Sequence, residues 1–412
     1  MLIRQKDFEL NTDSNIKALL PEINPDYNSS ILFIDIETTG LARDTTILYL
    51  LGCGYYSGEI NTSKNDEDKK EYNPETNGDC DNSFRIIQWF NDDGVSEKQI
   101  LEEFSAYIRK LSERNNPVIC TFNGENFDLP YLKRHFELND LPNIIDDLPS
   151  LDLYRALRPY RKALGLSHSK QKDWEHFLGI DREDQYSGRQ LIKVYKEYLI
   201  SREEQLLELI LLHNMEDVLH MSKLIDILSY QLMEKGMISF QSISADPDSD
   251  KDSCMAEEKL PDISWLKIDC LLKTPVPQKI AVSSSSTSHP GRIEAEEDRL
   301  TIRIPAAGGI MKHYYADYKN YYYLPEEDRA IHKSIGGYVD KDHRIKCKAD
   351  NCYIKKEGIY LPGIKDTDLK LTSYQTGNRS KEFYYEFDEL FGQDSKIIKE
   401  YLAAYVKIII KK

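Results

Sequence analysis

The chain has 412 residues, which at roughly 150 residues per domain allows two or three domains. With 40% hydrophobic and 10% aromatic residues it can build a sizeable core, which excludes global disorder. A formal net charge of −16 excludes a generic nucleic-acid coating protein, whose broad basic surface neutralises phosphates; an acidic metal site, cancelled by divalent cations, is compatible with it.

Residues 1–29 read as a short leader, with no apolar signal-peptide core in Met1 to Glu9 and with Pro21 and Pro25 breaking any long helix. The run from Ile31 to Glu37 (ILFIDIE) predicts a buried strand closed by the turn signal Thr38-Thr39-Gly40. Thr46 to Tyr56 reads as a second strand. Residues 57–83 are polar, charged and nearly free of aliphatics, which predicts a mobile, solvated insertion. Phe84 to Phe90 predicts a third strand. The spacing of Ile100, Leu101, Phe104, Ile108 and Leu111 predicts a helix over 97–114, and Val118 to Phe122 a fourth strand. A long helical region follows to about 235. The expected class is α/β, a ribonuclease H-like mixed sheet flanked by helices over 30–238. Residues 239–262 are acidic and Ser/Asp-rich, which predicts a linker, and 263–412 predict an accessory α+β domain. No stretch approaches the roughly 20 apolar residues of a membrane span. The seven scattered cysteines form no Cys-x-x-Cys pair, so a reduced, cytoplasmic setting is expected.

Three short elements carry chemistry. In Asp35-x-Glu37 the strand alternation turns both carboxylates to one face. Two like charges there disfavour each other's ionised form unless a cation sits between them, and a hard ion such as Mg²⁺ or Mn²⁺ prefers oxygen ligands; the plain alternative is an exposed strand end. In Thr121 to Asp128 (TFNGENFD) the chain leaves a strand, turns at Gly124 and opens a helix at Asp128, which either caps that helix or faces Asp35. In His213-x-x-x-Asp217 the two side chains share a helix face. Asp217 can complete a metal shell while the imidazole activates or orients a water; the bland reading is an ordinary helical His. Four carboxylates balance two divalent ions, the set that two-metal phosphodiester hydrolysis needs.

Phe33 to Leu41 (FIDIETTGL) resembles the first exonuclease motif of the DEDD superfamily, Asn123 to Asp128 its second, and His213 to Asp217 its third. With Leu151-Asp152-Leu153-Tyr154 and Leu178-Gly179-Ile180, residues 30–235 are most similar to the YprB-type ribonuclease H-like domain family. That resemblance implies 3′-to-5′ exonuclease activity with Mg²⁺ or Mn²⁺. It implies Asp35, Glu37, Asp128 and Asp217 as metal ligands, Thr38 and Leu41 near the terminal nucleotide, and Asn123 on the strand path. It also implies a DNA-repair setting, sometimes beside a helicase partner. One departure stands out. The family's His lies five residues before the last Asp and a Tyr four before; here His213 has the Tyr spacing and Leu212 the His position.

Arg155, Arg158, Arg161 and Lys162, interleaved with Tyr154 and Tyr160, suit a single nucleic-acid strand through phosphate contacts and base stacking, or else form a solvated helix face. The expected partner is nucleic acid, DNA over RNA, as a single-stranded or frayed 3′ end, with no membrane. A structure-selective endonuclease on the same site and a non-catalytic nucleic-acid or helicase adaptor are the alternatives.

Overall fold

The computed structural model describes residues 1–9, 16–27, 30–56, 83–112, 117–246, 263–284, 286, 288–365, 367–392 and 394–411. The expected insertion at 57–83 lies outside the described residues except for its last position, and so do residues 247–262 of the expected linker. The chain divides into two compact units, Met1–Gln231 and Leu232–Lys412.

The first unit runs β1 (Leu2–Glu9), α1 (Ile16–Ile23), β2 (Ile31–Thr38), β3 (Leu48–Tyr56), β4 (Ser83–Phe90), α2 (Glu97–Ser112), β5 (Val118–Thr121), α3 (Asp128–Leu138), β6 (Ser150–Asp152), α4 (Leu153–Leu157), α5 (Gln171–Phe177), α6 (Gly188–Ser201) and α7 (Glu204–Leu224). A further helix, α8 (Ser229–Glu234), follows. Six strands form one mixed sheet in the order β1-β4-β3-β2-β5-β6. The pairs β1–β4, β4–β3 and β3–β2 are antiparallel, whereas β5 and β6 run parallel to β2. Residues 2–9, expected in a leader, instead form the edge strand β1, with all eight residues in register with β4 from Leu2–Phe90 to Glu9–Ser83. Five successive β1 residues, Ile3 to Asp7, are exposed, so pairing of backbone groups rather than side-chain burial holds them.

The alternation on β2 sets the two faces. Leu32, Ile34 and Ile36 join Ile100, Leu101 and Phe104 of α2 and Leu129, Leu132 and Phe136 of α3 in one core cluster. On the other face Tyr49, Leu50 and Phe90 pack against Leu191, Tyr195 and Tyr198 of α6 and Leu207, Ile210 and Leu211 of α7. At roughly 25 cal/mol per Å² of apolar area, two such layers are the main stabilising contribution. Asp35 and Glu37 therefore leave β2 on the face opposite Ile34 and Ile36, toward α7.

The second unit is β-rich. Its strands are β7 (Ile238–Ala245), β8 (Ile263–Leu272), β9 (Ile280–Ser284), β10 (Gly291–Glu296), β11 (Arg299–Tyr314), β12 (Tyr321–Leu324), β13 (Arg329–His332), β14 (Ile345–Lys346), β15 (Tyr353–Pro362), β16 (Ser373–Tyr374) and β17 (Tyr384–Glu386). Residues 239–245, expected to begin the linker, belong with Ile238 to β7, which pairs with β8 from Ile238–Leu272 to Ala245–Leu266. The 16-residue β11 is the spine, joined to β8, β10 and β15. The C-terminal helix, Ser395–Ile410, packs on β7, β9 and β10, and its Tyr401 and Tyr405 hydroxyls donate to Pro362 O (3.0 Å) and Pro290 O (2.7 Å). Much of the Tyr-rich region packs rather than presenting free rings: Tyr315 stacks on Tyr321 at 4.4 Å, and Tyr360 is fully buried. Cys347 and Cys352 are buried together against Tyr315, Tyr318, Tyr321 and Tyr323, while His343 lies 3.0 Å from Glu326. Among the described residues no helix is long and apolar enough to cross a membrane.

Candidate metal centre

The site forms where three elements meet. β2 supplies Asp35 and Glu37, the start of α3 supplies Asp128, and α7 supplies His213 and Asp217. Asp128 does not cap its own helix. The N-cap position is Phe127, without a side-chain bond, and the Asp128 carboxylate reaches across to accept the Ile36 amide at 3.2 Å. That bond anchors Asp128 against the strand between Asp35 and Glu37. The preceding turn depends on Asn123, which adopts φ 66° while its amide donates to Asp152 Oδ1 at 2.9 Å. Asn is among the residues that tolerate this left-handed conformation.

Each acid is held by named partners. Asn214 Nδ2 donates to Asp35 Oδ2 (2.8 Å) and to the Asp35 carbonyl (3.1 Å), and its own Oδ1 accepts from Gln88 Nε2 at 2.8 Å. Tyr49 donates to Glu37 Oε2 at 3.3 Å. Arg182, almost fully buried, grips Asp217 Oδ1 and Glu175 Oε2 and donates to Glu175 Oε1 at 2.8 Å. Asp217 therefore keeps Oδ2 for the site. Glu216 lies on α7 between the two site residues, and its carboxylate accepts the amides of Glu183 (2.9 Å) and Asp184 (3.1 Å), which fixes the loop that carries Arg182.

The electrostatics call for a cation. Burial, then the neighbouring charges of Asp217, Glu37 and Asp128, hold the Asp35 carboxyl well above the ordinary carboxylate range. Burial, with Asp217 and Asp128, pushes Glu37 up to about 8. Burial outweighs the amide bonds to Asp128 and pushes it up to about 7. Divalent cations relieve this strain, and an all-oxygen set suits Mg²⁺ or Mn²⁺. Among the described residues one group of ligand atoms already lies close enough for a single ion: Glu37, His213 and Asp217, all within 4.8 Å of one another. Asp35 and Asp128 flank that group without joining it.

The sign of the pH effect follows. The folded protein holds protons on Glu37 and Asp128 up to about 8 and about 7, whereas the unfolded chain releases them near 4.5 and 3.8. The native state binds more protons across that window, so these groups lower stability as pH rises through it. MnCl₂ is expected to raise the melting temperature more at about pH 8 than at about pH 5; an equal gain at both would contradict this charge balance.

A second outcome concerns Gly52, on β3 opposite Asp35. A Cβ there would lie 2.1 Å from Asn214 Oδ1. Gly52→Ala is expected to expel Asn214 from Asp35, with a loss of roughly 1–3 kcal/mol from overpacking, read by urea unfolding, and weaker Mn²⁺ binding read by calorimetry.

The residues expected along a strand path are scattered in exposure. Thr38 is buried and donates to Gly40 O at 2.7 Å, whereas Leu41 is 82% exposed. Asn123 Oδ1 accepts from Asn126 Nδ2 at 2.8 Å. Arg155 is exposed but ion-paired with Glu125 at 2.7 Å; Arg161 donates to the carbonyls of Leu166 and Ser167; Arg158 and Lys162 are exposed. The sequence reading missed Arg182, Asp184, Asn214 and Tyr49. Asn214 could have been suspected, since it directly follows His213 at the end of the apolar run Leu209 to Leu212.

The family model RNase_H_2, of the RNase_H superfamily, matches residues 32–229. No curated protein matches the chain. Similar solved structures include the family B DNA polymerase from the hyperthermophilic archaeon Pyrobaculum calidifontis, at 12% identity and a TM-score of 0.35, over 51% of this chain and 26% of that one. They also include the zinc-ion-bound form of the E. coli ExoI–ssDNA complex, at 12% identity and a TM-score of 0.26, over 59% of this chain and 54% of that one. The chain thus spans about a quarter of the polymerase chain and about half of the exonuclease chain.

Proposed function

We propose that the first unit is a metal-dependent nuclease of the DEDD 3′-to-5′ exonuclease type, degrading single-stranded or frayed DNA ends. The observation that carries this reading is the convergence of four acids, from β2, α3 and α7, on one spot where burial and the neighbouring carboxylates push Asp35, Glu37 and Asp128 above the ordinary carboxylate range. The match of residues 32–229 to the RNase_H superfamily supports it. Asp35, Glu37, Asp128 and Asp217 would hold two divalent ions, Mg²⁺ or Mn²⁺. When bound, such ions lower the pKa of water and clamp the attacking and leaving oxygens of an in-line displacement. The chain's own residues do the rest. Asn214 and Tyr49 fix the rotamers of Asp35 and Glu37. Arg182 balances the charge of Asp217 from outside and turns its second oxygen inward. Thr38, Leu41 and Asn123 would touch the terminal nucleotide and its strand, with Arg155, Arg158, Arg161 and Lys162 meeting phosphates farther along. A setting in DNA repair, beside a helicase, belongs to the same reading.

The test is degradation of end-labelled single-stranded DNA by the full chain with MnCl₂, against a 3′-blocked strand and a closed circle. Stepwise shortening from the 3′ end, abolished by chelation and absent on the circle, is the expected result. Cutting of the circle would replace the exonuclease with a structure-selective endonuclease on the same acids. No metal-dependent cutting of any substrate would overturn the reading.

A further inference from the structure

His213 stands apart from the four acids in how it is held. Its Nδ1 donates to Asp184 Oδ2 at 2.6 Å. That carboxylate is itself fixed: Oδ1 accepts the Tyr186 amide at 2.9 Å, and Oδ2 also accepts from Lys172 Nζ at 3.1 Å. The Asp184 side chain is 1% exposed and that of His213 8%. The ring therefore has one orientation, with Nδ1 held by Asp184 and Nε2 aimed into the site.

What Nε2 meets is informative. It lies 3.4 Å from Glu37 Oε1 and 3.3 Å from Asp217 Oδ2. Charge-assisted N–H···O⁻ bonds are typically about 2.7–2.9 Å, so these separations are long for direct bonds. They match the spacing between ligands of one ion. Two donors each about 2.1 Å from a metal stand about 3.0 Å apart at right angles and about 3.4 Å apart in tetrahedral geometry. A ligating His also characteristically donates its other ring N–H to a carboxylate, as His213 does to Asp184.

Resting on the nuclease reading above, the geometry points to His213 Nε2 as a direct metal ligand, sharing one ion with Glu37 Oε1 and Asp217 Oδ2, and to Asp184 as the positioning residue that aims it. The His213-x-x-x-Asp217 spacing on α7 brings both donors to the same helix face. An imidazole in the set moves the preference of that position from Mg²⁺ toward Mn²⁺ and later transition ions. Such a ligand cannot at the same time use Nε2 to take a proton from water.

The test uses the full chain loaded with MnCl₂ and examined by electron spin-echo envelope modulation. ¹⁴N modulation that changes on ¹⁵N-histidine labelling and disappears in His213→Gln, with Mn²⁺ still bound through the acids, is expected. Asp184→Asn is expected to retain the modulation and to weaken Mn²⁺ binding roughly 10–100-fold by calorimetry. Mn²⁺ binding with no histidine nitrogen in the unaltered protein overturns the inference, without any variant, and leaves the nuclease reading standing. Modulation that persists in His213→Gln overturns it as well. No Mn²⁺ binding at all removes both.

Discussion

Asp35→Asn is expected to abolish metal-dependent DNA cleavage while leaving the fold intact or more stable. Asn keeps the shape of Asp and keeps an oxygen for Asn214 Nδ2, which now donates to Asp35 Oδ2 at 2.8 Å. What disappears is one negative charge among four acids, in a place where burial, Asp217, Glu37 and Asp128 already oppose ionisation. The metal-free protein therefore loses repulsion. The loaded protein loses a proposed ligand, and a single-turnover rate lower by roughly 1,000-fold or more is expected, beyond the 10–100-fold typical of a group one shell farther out. Melting temperature and rate together separate this outcome from simple unfolding. A rate within about tenfold of the unaltered protein would remove Asp35 from the mechanism.

Arg182→Met should produce the largest loss of stability of any single change near the site. The guanidinium is 7% exposed and serves Glu175, Asp217 and, at 3.7 Å, Asp184. Met fills much of the volume but leaves these carboxylates facing an apolar group. Breaking one side of a buried ion pair costs about 3–5 kcal/mol, which for a unit of this size is a fall of the order of 10 °C in melting temperature. The pH profile identifies the cause. Burial works against ionisation of Glu175, yet its bonds to His220 and Arg182 outweigh that and bring it down to about 2. Its contribution is fully present above about 4.5 and is lost as pH falls through about 2. In Arg182→Met the acid limb should move to higher pH. An unchanged acid limb, or a loss below about 1 kcal/mol, would show that solvent already screens this pair.

The central strands and the helix pairs were legible because burial writes itself into the sequence. The run from Ile31 to Glu37 and the spacing on α2 and α7 repeat at the periods their elements impose. β1 and β7 were not legible, because most of their side chains face solvent and their stability comes from backbone pairing, which leaves no hydrophobic signature. The acids of the site could be read as a set because Asp35 and Glu37 interrupt an apolar run. Arg182 and Asp184 sit instead in a charged loop between α5 and α6, where charge is the default. Only the fold reveals that Glu216 draws this loop inward through two amides. The His spacing was legible too, yet what it meant depended on Asp184, 29 positions away.

The span of the site in the chain has a consequence for synthesis. Asn214, which fixes Asp35, lies 179 positions after it. Contacts of such separation form late, after the intervening loop entropy has been overcome. A ribosome-bound chain that has released β2 and α3 but not yet α7 carries Asp35, Glu37 and Asp128 but lacks His213 and Asp217. The nascent polypeptide thus gains its full set of proposed ligands only once α7 has emerged, when the first unit is nearly complete.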